Sequence, residues 1–207
     1  MKPHSRIFLP SVLALSLVPL AACSGGAEQE PAPLDGSWTL QNDQSRLSFM
    51  SVKNGAIIES HKFTDLSGTV SDSGVAEVTI DLGSVATNID ARDQRMRDIL
   101  FQVDQFPDAV VTAQIDPAQF KALKPGESQT ETIPAALDLH GTKADLNADV
   151  EVTRIGDDTV RVETVTPIMV NAADFSLDQG IEQLREVAGL DAITGNVPVS
   201  FVLTYTR

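Results

Sequence analysis

Alternating apolar and polar residues predict that most of this chain folds as β-strands. The clearest run covers residues 142–153, where every second residue from Thr142 to Val152 is apolar or small and the residues between them are polar or charged. A period of two places the two sets of side chains on opposite faces of a strand. Asn54 and Gly55, and later residues 71–74, are turn sequences that join such strands into hairpins.

The connections between these strands indicate the fold class. Long strands joined largely by tight turns, without the spacing of βαβ units, predict an all-β antiparallel sheet that closes into a barrel or a sandwich. Many inward positions carry Ala, Val, Thr or Ser, and small inward residues can leave a lumen inside a barrel. The pattern alone leaves two structures open, a barrel with a lumen and a sandwich with a filled core.

Residues 87–107 break the alternation and predict a short amphipathic helix. The apolar residues that share one helix face by their spacing are Met96, Ile99 and Leu100. Asn88 or Asp90 is predicted to cap the helix start through a side-chain oxygen. Pro107 cannot continue a helix, because it has no N–H. We expect this helix to cover the apolar interior at one end of the sheet.

Residues 178–190 predict a second helix, which Gly189 ends. The residues on its apolar face are Ile181, Leu184, Val187 and Ala188. Residues 119–123 and 159–170 are predicted to be strands. The pattern does not distinguish a second helix at a barrel mouth from one packed on the outside.

The start of the chain predicts an export signal. Residues 1–22 combine basic Lys2 and Arg6 with an apolar stretch that prolines and serines interrupt, as in a secretory signal peptide. Small residues before Cys23 resemble the lipobox of bacterial lipoproteins, which implies cleavage before Cys23 and its acylation. Residues 23–35 then form the acylated cysteine and a flexible tether, and residues 36–207 form one domain. Ser24 after the cysteine favours anchoring in the outer membrane of a Gram-negative bacterium, facing the periplasm.

The net negative charge of the chain argues against some classes of binding partner. The chain has 15 basic and 29 acidic residues, and loss of Lys2 and Arg6 with the signal peptide leaves 13 basic residues and a net charge of −16. Such acidity argues against nucleic acid as a partner and against direct contact with anionic membrane surfaces. The membrane is therefore expected as a partner only through the acyl anchor. The sequence does not distinguish a monomer from a homodimer.

Catalytic and metal-binding patterns are missing from the sequence. His61 and His140 are the histidines that remain after signal cleavage, and no zinc-ligand spacing or hydrolase nucleophile motif occurs. We therefore expect no enzyme activity, no metal and no cofactor other than a bound lipid.

A series of short motifs resembles the YceI-like family of periplasmic lipid-binding proteins, in their order and spacing. These motifs lie at residues 38–40, 45–49, 81–87, 92–97, 101, 106–107, 137–142 and 174–177. The family pattern R-D-x-H-L-R has Arg95 at its histidine and Met96 at its leucine. Asn171, Ala172 and Ala173 lie where many members carry an arginine. These departures suggest a subgroup.

The resemblance implies a lipocalin-like antiparallel barrel, capped by one or two short helices, around an elongated apolar cavity. The implied ligand is an isoprenoid lipid, either a polyprenyl phosphate or a quinone, and the implied role is a binding protein or carrier. The alternative is a non-catalytic structural or interaction module of the envelope with a filled core.

The residue pattern and the family resemblance together indicate candidate ligand-binding residues. Arg92 and Arg97 are candidates for a head-group contact, because guanidinium groups suit phosphate. Ion pairing that fixes the helix is the alternative role for them, since aspartates outnumber arginines in the same stretch. The candidates for the apolar wall of the cavity are Met96, Phe101, Phe106, Phe175 and Trp38.

Overall fold

The computed structural model describes residues 33–207. The predicted signal peptide, the lipid attachment site at Cys23 and the tether up to residue 32 lie outside the described residues. Within residues 33–207, no helix has both the length and the apolar character that a membrane span requires.

The described chain alternates strands with short helical segments. Strands β1 to β6 are Trp38–Leu40, Arg46–Lys53, Ile57–Phe63, Leu66–Val70, Val75–Asp81 and Val85–Ala86. Strands β7 to β12 are Asp108–Gln114, Ser128–Leu139, Thr142–Arg154, Thr159–Thr164, Ile168–Asn171 and Asn196–Thr206. The helices are α1 (Asp90–Arg95), a π-helix that continues it (Met96–Phe101) and α2 (Asp178–Ala188). Short 3-10 helices cover Asn42–Gln44, Leu82–Ser84, Pro117–Phe120 and Ala172–Phe175.

The strands form a closed eight-stranded antiparallel barrel, which confirms the predicted fold class. The order β1-β4-β5-β7-β8-β9-β10-β12 closes when β12 pairs with β1. Strand β2 pairs with β12 further along it, at Val199–Val202, and β3 and β6 extend the wall from there. Closure leaves no free edge along the ring of eight strands, so this part of the sheet offers no template for aggregation.

The β2–β3 hairpin uses the turn that the sequence predicts. Asn54 and Gly55 both have positive φ, 49° and 72°. Turns of this hand match the right-handed twist of the two strands. The Asn54 side chain also accepts hydrogen bonds from the backbone N–H groups of Asp191 and Ala192, at 2.9 and 3.3 Å. The hairpin is therefore tied to the segment that follows α2.

The predicted cap of the first helix is wrong. Ile89 occupies the N-cap position, and neither Asn88 nor Asp90 caps the helix. The Asp93 carboxylate instead accepts hydrogen bonds from the backbone N–H of Thr87, at 2.8 Å, and from the Thr87 hydroxyl. The start of the helix is thus stabilised by Asp93, a residue of its first turn, through hydrogen bonds with Thr87.

Two predicted strands also differ from the structure, and a proline explains each. Residues 119–123 are not a strand, because Pro117 opens a 3-10 helix in which the Asp116 side chain accepts a hydrogen bond from Ala118 N–H at 2.9 Å. The strand predicted over residues 159–170 is divided into β10 and β11. Pro167 lies in the gap and has no N–H to give to the ladder.

Candidate functional site

The barrel encloses an apolar cavity of about 280 Å³, called here the main cavity. Its lining side chains are aliphatic or aromatic, and Tyr205 is the one among them that carries a polar atom. The barrel therefore has a lumen, and the alternative of a filled core does not hold. A lumen of this kind can bury an apolar ligand but offers its tail no hydrogen bonds.

A row of small residues creates part of this space. Ala76, Ala113 and Ala135 lie next to one another on β5, β7 and β8, because Ala76 pairs with Ala113 and Ala113 with Ala135. All three line the main cavity. Larger residues at these positions would fill it, so this alanine row is a determinant of cavity volume.

Helices close one end of the main cavity, called here the helix end. Met96, Leu100 and Phe101 of the π-helix are buried and line the cavity, which confirms the predicted covering role of this stretch. Ile181 of α2 lines it as well. The second helix therefore lies at the mouth of the barrel and not only on its outside. Both helices would have to shift for a ligand to pass at this end.

The two helices meet almost backbone to backbone at Gly180. A Cβ atom at this position would lie 3.1 Å from Leu100 Cα and 3.2 Å from the Ile99 carbonyl oxygen. Side chains larger than hydrogen do not fit here without movement of one helix. Gly180 thus sets the close packing of α2 on the π-helix.

Gly180→Leu is therefore expected to lower the free energy of unfolding by about 1–3 kcal/mol, as overpacking does elsewhere. Urea unfolding measures this change. Gln179→Leu is the matched control, because Gln179 is exposed and adjacent, and surface changes of this kind stay within about 0.5 kcal/mol. Equal stability of the two variants would show that the helices do not pack as described.

A second cavity, of about 360 Å³, adjoins the main cavity at the other end of the barrel. Leu34 and Trp38 are in its wall. The two cavities share the lining residues Val70, Ile115, Ile133, Val162 and Tyr205. Along β12 the main cavity is lined from Val197 to Tyr205, and the second cavity begins at Tyr205. Together they form an elongated and largely apolar interior along the barrel, with Asp35, Ser71 and Asp72 in the wall of the second cavity. The described N-terminus lies at the second cavity.

A polar cluster of Ser51, Lys53, Glu59, His61 and Arg92 lies where β2 and β3 meet α1. The Glu59 carboxylate accepts hydrogen bonds from Lys53 Nζ at 2.5 Å and Arg92 Nη1 at 2.7 Å. The Lys53 bond, followed by the charges of Arg92 and Lys53, holds the pKa of Glu59 below its ordinary 4.5. Burial, followed by the charge of Arg92, lowers the pKa of His61 below its ordinary 6.5.

The shifted pKa of His61 predicts a pH-dependent stability. Because the folded pKa is the lower one, the unfolded chain binds a proton first, and stability falls as the pH drops below about 6.5. Glu59 adds to the fall only below its ordinary 4.5. His61→Gln is expected to flatten the decline between about pH 6.5 and pH 5, as measured by urea unfolding at each pH. The same decline in the variant and the wild-type protein would contradict this.

The structure places the predicted site residues in different surroundings. Met96 and Phe101 line the main cavity, and Trp38 lines the second. Phe175 is buried, and Phe106 packs on the His140 ring at a centroid distance of 4.3 Å. Neither of these phenylalanines is in the wall of the two cavities. A ligand contact by any of these side chains stays a prediction.

The two arginines also lie outside the cavity walls. Arg92 pairs with Glu59 and donates to Thr87 through Nε and Nη2, each at 2.7 Å. Arg97 donates to the Gly83 carbonyl at 3.4 Å and to Gln94 at 3.1 Å. The ion pair of Arg92 is the alternative role that the sequence offered. A head-group contact by Arg92 or Arg97 remains untested.

Sequence reasoning missed the alanine row, the second cavity and the polar cluster. Each depends on which strands become neighbours, and the sequence pattern gives only the face of each strand. Among residues 33–207, no group of three or more His, Cys, Asp and Glu side chains is placed to hold a metal ion.

Comparison with known proteins identifies a family model and solved structures that are similar to this chain. Residues 38–205 match the model of the YceI-like domain. A polyisoprenoid binding domain from Saccharophagus degradans, implicated in plant cell wall breakdown, is 40% identical with a TM-score of 0.80, over 82% of this chain and 98% of that one. No curated protein matches the chain.

More distant structures share the fold alone. BcnA of Burkholderia cenocepacia is 16% identical with a TM-score of 0.62, over 80% of this chain and 98% of that one. A mutant YceI protein of Campylobacter jejuni with a monobromobimane guest is 16% identical with a TM-score of 0.52, over 71% and 84%. The matched domain, the identity to the S. degradans protein and the barrel agree, and this chain belongs to the YceI-like family.

Proposed function

We propose that this protein is a periplasmic, membrane-anchored carrier that holds an isoprenoid lipid in its barrel and catalyses no reaction on it. The observation that carries this proposal is the elongated apolar interior formed by the two adjoining cavities. The name of the S. degradans relative, a polyisoprenoid binding domain, supports the same ligand class.

The cavity walls suit a long, flexible and branched hydrocarbon. Burial of apolar surface contributes about 25 cal/mol per Å², so several isoprene units give a substantial driving force. Ordering the flexible tail opposes part of it. The main cavity is lined by aliphatic and aromatic side chains, so the head group, a phosphate or a quinone, would be recognised outside it.

Anchoring would come from acylation of Cys23, with the outer membrane as the expected site. Residues 24–33 can span at most about 36 Å when fully extended, at 3.6 Å per residue. Such a tether would keep the described N-terminus, and with it the second cavity, within reach of the membrane. Ligand exchange is then expected at that end. The alternative role, an interaction module with a filled core, is disfavoured because the barrel contains a lumen.

Fluorescence of Trp38 tests the proposal, because Trp38 is the chain's only tryptophan and lies in the wall of the second cavity. The full chain with Cys23→Ser, which cannot be acylated, is titrated with isoprenoid alcohols of increasing length. Affinity is expected to rise with each isoprene unit until the two cavities are filled. Absence of any fluorescence change, or equal binding of straight-chain alcohols with the same number of carbons, would contradict an isoprenoid carrier.

A further inference from the structure

Residues 33–36 form a segment, called here the strap, that lies at the second cavity just before β1. The Leu34 side chain is in the cavity wall and only 9% exposed, whereas Pro33 and Asp35 on either side of it are exposed. Leu34 thus points inward, as Trp38 does at the start of β1. The strap therefore closes part of this end of the barrel with an apolar side chain.

The strap lacks the backbone hydrogen bonds that hold the strands of the barrel. Residues 33–36 belong to no strand, and no backbone–backbone hydrogen bond joins them to the rest of the described chain. The helix end, by contrast, is closed by α2 packed closely on the π-helix at Gly180. Segments with few backbone bonds open locally at a lower free-energy cost than packed secondary structure does. The strap can therefore open while the barrel stays folded.

The Arg207 side chain holds the strap on the barrel. Its Nη1 donates to the Pro33 carbonyl at 2.6 Å and to the Asp35 carbonyl at 2.8 Å. Its Nε donates to the Asp158 carboxylate at 2.8 Å, and its Nη2 donates to the Asp157 carbonyl at 3.0 Å. One guanidinium therefore joins the start of the strap to the turn between β9 and β10.

The end of the strap is attached to a different turn. The Ser37 hydroxyl donates to the Asp72 carboxylate, on the turn between β4 and β5, at 3.0 Å. Gly36 lies between the two attachments and has a φ of 104°, which glycine adopts without strain. Release of Arg207 would therefore leave the strap attached through Ser37 and able to turn at Gly36.

We propose that the strap is a gate of the second cavity, which Arg207 holds closed and whose opening lets an apolar ligand enter and leave. This inference rests on the proposed function, to which it adds the segment that opens and the residue that controls it. The strap leads directly into the predicted tether, so the gate lies at the end of the barrel next to the predicted anchor. Because the gate closes both the empty and the filled barrel, its opening limits the rates of entry and release alike.

Opening of the strap is measured first without any ligand. The chain with Cys23→Ser and Leu34→Cys carries a single thiol, on the strap. This thiol should react with a thiol reagent more slowly than the thiol of Ser73→Cys, because Leu34 is buried and Ser73 is exposed. Adding Arg207→Gln removes the charge-assisted bonds to the strap and should raise the reaction rate of the Leu34→Cys thiol about tenfold.

Exchange of a ligand then tests the gate itself. The full chain with Cys23→Ser is loaded with tetraprenyl alcohol and mixed with an excess of phosphatidylcholine vesicles, and Trp38 fluorescence follows the release. Arg207→Gln should raise the rates of uptake and release about tenfold each, with little change in affinity. Arg46→Gln is the matched control, because Arg46 is exposed on β2 and absent from both cavity walls. Circular dichroism verifies that each variant is folded.

Gly36→Ala opens the gate for a different physical reason. A Cβ atom at Gly36 would contact nothing within 4 Å, so the substitution acts only through the strain of a positive φ in the closed strap. It should raise both exchange rates about fivefold. Gly195→Ala is its control, since Gly195 has no such φ and a Cβ atom there would lie in ordinary contact, 3.9 Å from Ala172 Cβ.

The outcomes separate the gate from the proposed function. Faster exchange in Arg207→Gln and Gly36→Ala, with unchanged exchange in Arg46→Gln and Gly195→Ala, is the expected result. Exchange rates equal to those of the wild-type protein in both gate variants, or a Leu34→Cys thiol that reacts as fast as that of Ser73→Cys, would overturn the gate and leave the carrier role in place. Failure of the wild-type protein to bind the alcohol would overturn the carrier role and the gate with it.

Discussion

Ala135→Phe is expected to weaken isoprenoid binding about tenfold while the barrel stays folded. Ala135 belongs to the alanine row and lines the main cavity of about 280 Å³, part of which a phenyl ring would occupy. Excluding roughly 60 Å² of tail from the wall costs about 1.5 kcal/mol, which corresponds to about tenfold in affinity. Filling an internal cavity tends to preserve or raise stability.

The neighbouring residue provides the control for this prediction. Ala136 lies next to Ala135 on β8 but is absent from the wall of both cavities. Ala136→Phe therefore adds the same ring on the opposite face of the strand and should leave binding unchanged. Titration of both variants with the same isoprenoid alcohol measures the difference. An equal affinity of Ala135→Phe and wild-type protein would show that the ligand lies outside the main cavity.

Arg154→Ala is expected to lower the free energy of unfolding by about 2–4 kcal/mol. Arg154 is 0% exposed and donates through Nη1 to the Leu123 carbonyl at 3.1 Å and through Nε to the Gly156 carbonyl at 3.0 Å. It thereby joins the end of β9 to the segment before β8. Alanine would remove these donors, together with Nη2, which lies 3.4 Å from the Asp157 carboxylate, and would leave a void. Each effect destabilises the folded state.

Urea unfolding of a pair of arginine variants measures this contribution. Arg161→Ala is the matched control, because the Arg161 side chain is 41% exposed and its ion pair with Glu163 spans 3.6 Å. Such a pair contributes about 0–1 kcal/mol. A loss in Arg154→Ala no larger than that in Arg161→Ala would contradict a structural role of the buried guanidinium.

Much of the fold follows from local patterns in the sequence. Period-two alternation in residues 142–153 predicts a strand with a dry face, and β9 is that strand. The break in this pattern at residues 87–107 predicts the helix that closes the cavity, because Met96 and Leu100 lie on one face. The pattern does not predict which residues stabilise the ends of the helices and strands. Thr87 and Asp93 stabilise the helix start in place of Asn88 or Asp90, since the helix begins after Ile89.

The candidate site is less accessible to sequence reasoning, because it depends on contacts between distant residues. Glu59 and Arg92 are 33 residues apart, and neither position alone indicates an ion pair. Ala113 reveals its role only through its cross-strand neighbours in the alanine row. The lumen could therefore not be distinguished from a filled core before the strand register was known.

Identification of the lipid that the protein carries tests the central proposal most directly. The full chain with Cys23→Ser, exported to the periplasm, is purified and extracted with organic solvent, and mass spectrometry identifies the extracted lipid. The substitution ensures that an acyl anchor is not mistaken for a ligand. We predict an isoprenoid in a stoichiometric amount. An extract without lipid, from a protein that also fails to bind added quinones and polyprenyl phosphates, would contradict the carrier function.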